Sequence, residues 1–196
     1  MDKVLLDAKN DTVFLTQKGM SIDLGGVAKG YAAEKAAKVI EEKGIKQAII
    51  NAGGNVVVLG GKTERDPWKL GIQDPRDSSS LIAVLGLRDK AAVTSGDYQR
   101  YFESGGKRYH HLLDPATGMP AREAISVTVV CDSSAVADIL STALFVLGPE
   151  KGMELSRNLE GVDVLFVSSD KRITVTPGMR EAVTVDPGEA YSYDPQ

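Results

Sequence analysis

An aspartate and a threonine stand one helical turn apart in a segment that is otherwise almost entirely apolar. Asp138 and Thr142 lie within residues 135–147, which predict a helix that is buried on most faces, and their spacing places both side chains on one face. A carboxylate in such surroundings is costly unless it is paired or metal-bound, and oxygen donors of this kind suit Mg²⁺. The alternative is a narrow polar face that points to solvent, with Thr142 bonding back to a carbonyl.

A glycine pair precedes a second amphipathic segment. Asp23 is followed by Gly25 and Gly26, and Lys29 falls in the first turn of a helix predicted over residues 27–43. Glycines let the main chain approach a ligand closely, and a helix amino terminus favours anions such as phosphate. A lysine at this place opposes the helix dipole, which favours a functional role. The alternative is an ordinary glycine turn with a solvated lysine.

Both histidines of the chain are adjacent, and a predicted turn of hydroxyl and glycine residues precedes them. Strand alternation predicts that only one of His110 and His111 faces a given site, which also argues against a zinc site that uses both. Packing or surface positions are the ordinary alternative for such a pair. Ser95 and Gly96 follow an apolar strand, in a turn whose N–H groups and hydroxyl suit a ligand but which also fits a plain turn. No Gly-x-Ser-x-Gly pattern surrounds Ser95, so a hydrolase nucleophile is not supported.

The order of helical and strand-like runs along the chain predicts the domain that positions these residues. Because strand-like runs joined by short turns outnumber helical ones, we expect an α+β domain with a largely antiparallel or mixed sheet and a few helices. Ser133 or Ser134 is expected to cap the apolar helix, which runs to Leu147. The domain is expected to span residues 1–178, followed by a polar, frayed tail over residues 179–196. The predicted strands begin with a hairpin of residues 3–6 and 12–16 and end with a hairpin of residues 162–167 and 173–175. Between them, one sheet is predicted to include residues 48–50, 56–59, 68–72 and 81–87, and a further strand covers residues 125–131. A short helix is predicted at residues 150–158.

Composition narrows the classes of function. The chain has 196 residues, of which 42% are apolar, enough for one substantial core. Its net charge of −4, without a cluster of Lys and Arg, argues against a nucleic-acid partner. Cys131 is the only cysteine, which excludes an internal disulfide and a thiolate zinc cluster. The first residues contain neither a signal-peptide core nor a membrane span, so the sequence leaves the localisation open.

Five segments, taken in order, resemble the ApbE family, the FAD:protein FMN transferases. One such segment is weak support, whereas five collinear segments across residues 3–178 are strong support. The segments are DLGGVAKG at 23–30, NAGG at 51–54, TSGDY at 94–98, HLLDPATG at 111–118 and ADILSTA at 137–143.

The resemblance implies a Mg²⁺ ion held by the Asp138 carboxylate, the Thr142 hydroxyl and the main-chain carbonyl of Gly26, next to the pyrophosphate of FAD. The implied reaction transfers FMN from FAD to a Ser or Thr hydroxyl of a target protein and releases AMP. Asp138, Lys29 and His111 are the implied catalytic residues, with Lys29 offsetting charge on the pyrophosphate and His111, or a metal-bound carboxylate, accepting a proton. The implied FAD contacts are Asp23, Gly25, Gly26, Lys29, Ser95, Gly96 and His111.

Two other functions fit the same motifs. If water attacks FAD in place of the protein hydroxyl, the enzyme is a pyrophosphatase that converts FAD to FMN and AMP. If the chain binds FAD without turning it over, it is a non-catalytic flavin-binding module. Family members are usually longer, so the amino-terminal part, which contributes to the adenosine side of the FAD site, is expected to be missing here. Apolar surface left exposed is then expected to favour a homodimer. Family members are commonly periplasmic or membrane-anchored, and any anchor is expected to lie outside this chain.

Overall fold

The structure, a computed structural model, describes residues 3–195, and over these residues the chain forms four helices and fourteen strands. The helices are α1 (Ala28–Glu42), α2 (Ser134–Leu147), α3 (Pro149–Arg157) and α4 (Pro177–Ala182). The strands are β1 (Val4–Asp7), β2 (Thr12–Leu15), β3 (Ala48–Ala52), β4 (Asn55–Leu59), β5 (Trp68–Gln73), β6 (Leu81–Leu87), β7 (Lys90–Gly96), β8 (Tyr101–Ser104), β9 (Lys107–His110), β10 (Ala124–Cys131), β11 (Asp163–Ser168), β12 (Arg172–Val175), β13 (Val183–Val185) and β14 (Ser192–Pro195). No helix in this part of the chain is long and apolar enough to cross a membrane.

A central sheet of seven strands carries the fold, in the order β14-β12-β11-β10-β7-β4-β3. Its neighbours pair antiparallel except for β12 and β14, which are parallel. A separate three-stranded sheet has the order β13-β6-β5, and β1–β2 and β8–β9 are isolated hairpins. The predicted α+β class with a mixed sheet is confirmed.

The prediction that β5 and β6 continue the sheet of β3 and β4 is wrong. These two strands pair with each other and with β13, and their side chains pack onto one face of the central sheet. Ile72 and Leu85 share a buried cluster with Val58, Leu165 and Ile173 of the central strands. Burying both faces of the central sheet in this way removes more apolar surface from water than lengthening it would. Apolar runs predict strands, but they do not say which strands pair.

Helices cover the opposite face of the central sheet. The period of two along a strand sends Val57 and Ala91 towards α1, where they pack against Ala33 and Ala37. On the neighbouring strands, buried valines pack against α2 and its fully buried Phe145. This layer of helices positions the candidate site residues, because α1 and α2 lie side by side upon the sheet.

Sequence patterns located the helices well. Helix α1 lies within the predicted residues 27–43 and is followed by Gly44, which has a positive φ of 82° that glycine adopts without strain. Ser133 caps α2 by accepting a hydrogen bond from the Val136 N–H. The expected burial of α2 on most faces holds for its inner side only, because Val136, Ile139 and Leu147 are exposed along the outer side.

The segment expected to be a frayed tail is ordered through residue 195. Helix α4 buries Met179 completely, and Tyr193 lies in β14, which pairs with β12 at the edge of the central sheet. Tyr191 is buried, and its hydroxyl donates a 2.5 Å hydrogen bond to Oδ1 of Asp74. The prediction of fraying is wrong because three apolar or aromatic side chains spaced along a polar segment are enough to anchor it. Residue 196 lies outside the described residues.

Candidate functional site

Nearly all the residues singled out in the sequence line one cavity. It has a volume of about 860 Å³ and lies between the loop before α1, the end of β7, the residues after β9 and the inner side of α2. The predicted site residues that line it are Asp23, Gly25, Gly26, Lys29, Ser95, His111, Asp138 and Thr142. Residues distant in sequence are therefore brought to one surface.

Asp138 is the buried acid of this cavity, with 3% of the residue exposed. Its Oδ2 accepts a 2.8 Å hydrogen bond from the Gly30 N–H, near the start of α1. Its Oδ1 lies 3.5 Å from Nζ of Lys29, whose side chain is 43% exposed. An ion pair to so exposed a lysine is weak, so the second carboxylate oxygen remains available on the cavity side. The alternative in which Asp138 points to solvent is excluded by its burial.

Close packing of α1 on α2 fixes the position of Lys29 and the glycine loop. A Cβ at Gly30 would lie 2.2 Å from the Ser134 carbonyl oxygen, so glycine is needed for the two helices to approach. One turn further along α1, the Glu34 carboxylate accepts a 2.6 Å hydrogen bond from the Ser133 hydroxyl and another from the Ala135 N–H. The hydrogen bond from Ser133 lowers the pKa of Glu34. The cap of α2 is thus tied to α1.

The loop before α1 is held by its own aspartate. Oδ1 of Asp23 accepts a 2.6 Å hydrogen bond from the Gly25 N–H, and the carbonyl of Leu24 accepts from the N–H groups of Val27 and Ala28. A Cβ at Gly26 would meet nothing within 4 Å, which leaves this stretch of main chain open on the cavity side. The loop therefore presents bare backbone to the cavity, as a ligand with phosphate groups requires.

Ser95 belongs to a strand and not to the predicted turn, because it pairs with Val127 inside the central sheet. Strand alternation directs its side chain to the helical layer, where its hydroxyl lies 2.9 Å from that of Ser141 and 3.3 Å from that of Thr142. The alternative for Thr142 was a hydrogen bond from its hydroxyl back to a main-chain carbonyl of the same helix. In the structure Ser141 makes such a bond, because its hydroxyl donates to the Asp138 carbonyl. Ser95 and α2 are therefore in direct contact at the cavity wall.

The two histidines separate as strand alternation predicts. His110 is buried, and its Nε2 donates a 2.9 Å hydrogen bond to the Ala121 carbonyl, while its ring meets Phe145 edge-on at 5.5 Å. His111 is exposed and lines the cavity, with Nδ1 3.4 Å from the Arg100 carbonyl oxygen. Only His111 is placed to meet a ligand.

Burial of His110 should make the fold sensitive to acid. Burial lowers the pKa of His110 below its ordinary value of 6.5, so the unfolded chain binds this proton more tightly than the folded one. The contribution of neutral His110 to the free energy of unfolding is therefore fully present at pH values above 6.5. It is lost as the pH falls from 6.5 to the lowered pKa of the folded state. We expect the free energy of unfolding in urea to decrease over that interval, and His110→Gln to remove part of the decrease. Exposed His111→Gln is the matched control, and an unchanged pH profile in His110→Gln would contradict the assignment.

Gly96 is the one predicted site residue that does not line the cavity. It is buried at the end of β7, and a Cβ there would lie 2.4 Å from the ring of Tyr98, so glycine is needed for that ring to lie against the strand. Sequence reasoning missed Gln73, Gln99 and Arg100, which do line the cavity. Arg100 stands two residues after the TSGDY segment, and that proximity was the only signal that could have found it.

The cavity suits a hard cation without holding a cluster of acids. Among residues 3–195, no group of three or more His, Cys, Asp and Glu side chains is arranged to bind a metal. One buried carboxylate from Asp138, the Thr142 hydroxyl and the Gly26 main chain nevertheless border the same space, and all are oxygen donors. Mg²⁺ is commonly bound by one or two carboxylates together with water and substrate phosphates. The residues present therefore fit Mg²⁺ bound jointly by the protein and a phosphate ligand.

Comparison with known proteins agrees with the geometry. The chain is 42% identical over 184 residues to an FAD:protein FMN transferase of Treponema pallidum, covering 89% of this chain and 51% of that protein. It is 42% identical over 180 residues to one of Klebsiella pneumoniae, covering 91% and 55%. The chain thus spans about half the length of these relatives.

Solved structures give the same result for the fold. The crystal structure of the ApbE protein of Thermotoga maritima matches with a TM-score of 0.85 at 39% identity, covering 92% of this chain and 59% of that one. The flavin transferase ApbE of Vibrio cholerae matches with a TM-score of 0.81 at 27% identity, covering 92% and 58%. The ApbE family model matches residues 1–166. With most of its length matched, the chain belongs to the ApbE family.

Proposed function

We propose that this chain transfers FMN from FAD to a Ser or Thr hydroxyl of a target protein, with Mg²⁺, and that AMP is released. The observation that carries the proposal is the buried Asp138 facing the same 860 Å³ cavity as Lys29 and the bare glycine loop. A cavity of this volume is within the range that ligand sites of this kind have. The names of the relatives state FAD as the donor of FMN and a protein as the acceptor.

The glycine loop and Lys29 would bind the pyrophosphate of FAD. Both glycines line the cavity, and the main chain at Gly26 is open, since a Cβ there would meet nothing within 4 Å. Lys29 extends from the first turn of α1 to within 3.5 Å of Asp138. Asp138, Thr142 and the Gly26 carbonyl would hold Mg²⁺, which when bound polarises the pyrophosphate and offsets its charge. Lys29 adds a second positive charge that is partly solvated and free to follow the phosphates.

His111 is proposed to accept the proton of the acceptor hydroxyl. The Arg100 carbonyl can only accept, so Nδ1 of His111 would donate in the 3.4 Å contact. In the neutral ring with its proton on Nδ1, Nε2 is the atom that accepts the proton of the acceptor hydroxyl. The acceptor oxygen would then bond to the FMN-side phosphorus as the bond from that phosphorus to the bridging oxygen breaks. AMP leaves with the bonding electrons. No covalent enzyme intermediate is required, because positioning and charge neutralisation lower the barrier.

The protein partners follow from the same proposal. The target is a protein with an accessible Ser or Thr. A homodimer is proposed on the apolar hairpin β1–β2, in which Leu6 is 76% and Phe14 is 63% exposed.

The test is an incubation of the chain with FAD, Mg²⁺ and a Thr-containing acceptor protein from the same source, read by mass spectrometry. We expect the acceptor to gain the mass of one FMN and lose one water equivalent, with stoichiometric AMP. FMN and AMP appearing without a modified acceptor would favour the pyrophosphatase. FAD binding without turnover would favour the flavin-binding module. A chain that neither binds nor consumes FAD would contradict the proposal.

A further inference from the structure

Asp97 is a half-buried carboxylate placed at the end of the strand that forms one wall of the cavity. It follows β7 directly, and its N–H donates a 3.0 Å hydrogen bond to the Ile125 carbonyl. Its side chain is 13% exposed and faces the guanidinium of Arg76, which donates from Nη1 to Oδ1 at 2.7 Å and from Nη2 to Oδ2 at 2.8 Å. The Arg76 side chain is 34% exposed, but a bidentate pair of this geometry is among the stronger polar contacts of a protein.

The same carboxylate also contacts the β8–β9 hairpin. Nη1 of Arg108 lies 3.4 Å from Oδ1 of Asp97, and its guanidinium stands 4.0 Å from the ring centre of Tyr101 and contacts Glu103. An isolated two-stranded hairpin is marginally stable by itself. Contacts to Asp97 and to its own aromatic ring therefore hold the hairpin against the body of the domain.

The Arg76 side of the junction is itself anchored. Asp74 accepts the N–H of Arg76 at 2.7 Å through the same Oδ1 that accepts the Tyr191 hydroxyl. Arg76 is thus supported by the ordered carboxy-terminal segment. Asp97 consequently joins three parts of the chain: the loop after β5, the β8–β9 hairpin and the end of β7.

The residues that follow Asp97 are those that line the cavity. Tyr98, Gln99 and Arg100 form this part of the wall, and the Tyr98 ring lies against Gly96. Burial raises the pKa of Tyr98 to about 12, so its hydroxyl stays a neutral donor at physiological pH. The Arg100 carbonyl contacts His111, which also lines the cavity. Any shift of Asp97 is passed to these residues through one to three peptide units.

We infer that Asp97, through its bidentate pair with Arg76, is a positioning residue that holds Tyr98, Gln99 and Arg100 where FAD binds. The inference deepens the proposed function and rests on it. No hydrogen bond or ion pair of Asp97 reaches α1 or α2. Its loss therefore leaves Asp138 in place and acts mainly on the affinity for FAD, with a smaller effect on turnover through the Arg100 contact to His111.

The test compares Asp97→Asn with Asp132→Asn, which removes the charge from an exposed ion pair with Lys90 at 2.6 Å, away from the cavity. For Asp97→Asn we expect the Kd and KM for FAD to rise about tenfold, with kcat at saturating FAD within about threefold of wild type, because lost uniform binding raises KM alone. Amide hydrogen exchange of residues 97–101 should accelerate. Asp132→Asn should match wild type in every measurement.

Arg76→Gln supplies an independent route to the same pair. It should reproduce most of the tenfold rise, because the Arg108 contact to Asp97 remains. The double variant with Asp97→Asn should bind FAD no more weakly than Asp97→Asn alone, because that variant already lacks the ion pair with Arg76. Wild-type binding of FAD by folded Asp97→Asn would overturn the positioning role, and so would an additive double variant. A wild-type chain that binds no FAD would instead overturn the proposed function, and the inference with it.

Discussion

Asp138→Asn is expected to reduce Mg²⁺-dependent FMN transfer by on the order of a thousandfold, the effect of removing one key electrostatic group from an active site. Asparagine has nearly the same shape and keeps an oxygen that can accept the Gly30 N–H, so the contact between α1 and α2 is retained. It lacks the negative charge that binds a hard cation. Transfer is measured by mass spectrometry of the acceptor at saturating FAD over a range of Mg²⁺ concentrations.

Asp132→Asn is again the matched control, because it makes the same chemical change at a side chain that is 82% exposed. A second measurement separates metal binding from folding: Mg²⁺ with FAD should raise the Tm of wild type and of the control, but not of Asp138→Asn. The urea-unfolding free energies of the three proteins should be similar. Undiminished transfer by Asp138→Asn would remove Asp138 from the proposed metal site.

The oddities of the sequence located most of the candidate site. A carboxylate within an apolar helix is unfavourable unless it is paired, and a lysine in the first turn of a helix opposes the helix dipole. Each therefore marks a position where a tertiary contact is expected to compensate for the unfavourable energy. Lys29 and Asp138 indeed lie together in the structure. Asp97 gave no such signal, because an aspartate beside glycine and tyrosine is ordinary in a loop. Its partner Arg76 stands 21 residues earlier and follows a strand of the other sheet, so only the packing of the three-stranded sheet on the central sheet brings the two together.

Strand positions could be predicted, but strand neighbours could not. Residues 68–72 and 81–87 have the same apolar character as those of β4, yet they form a second sheet, because pairing depends on which faces remain uncovered once the chain collapses. The carboxy-terminal segment was mistaken for a tail because its polar composition hides three widely spaced anchors. A single buried hydroxyl, that of Tyr191 on Asp74, is a long-range contact that no local pattern contains.

Gly30→Ala is expected to destabilise the fold by about 2–3 kcal/mol, the cost of forcing an extra methyl group into a tightly packed contact. The added Cβ would lie 2.2 Å from the Ser134 carbonyl oxygen and 2.7 Å from Cβ of Asp138. Neither atom is the end of a flexible side chain, so α1 must move away from α2. Helix propensity alone favours alanine over glycine. A net decrease in the free energy of unfolding would therefore report the close contact between α1 and α2. The measurement is urea unfolding of wild type and variant.

Gly26→Ala is the matched control for stability, because a Cβ at that position meets nothing within 4 Å and the free energy of unfolding should change little. The displacement of α1 in Gly30→Ala has a second consequence, since the Gly30 N–H donates to Asp138 and Lys29 precedes it. FAD affinity and FMN transfer should both fall under conditions where the variant is still folded. Should Gly30→Ala be as stable as wild type, the close approach of α1 and α2 at this residue would be wrong, and with it the account of how Lys29 is held beside Asp138.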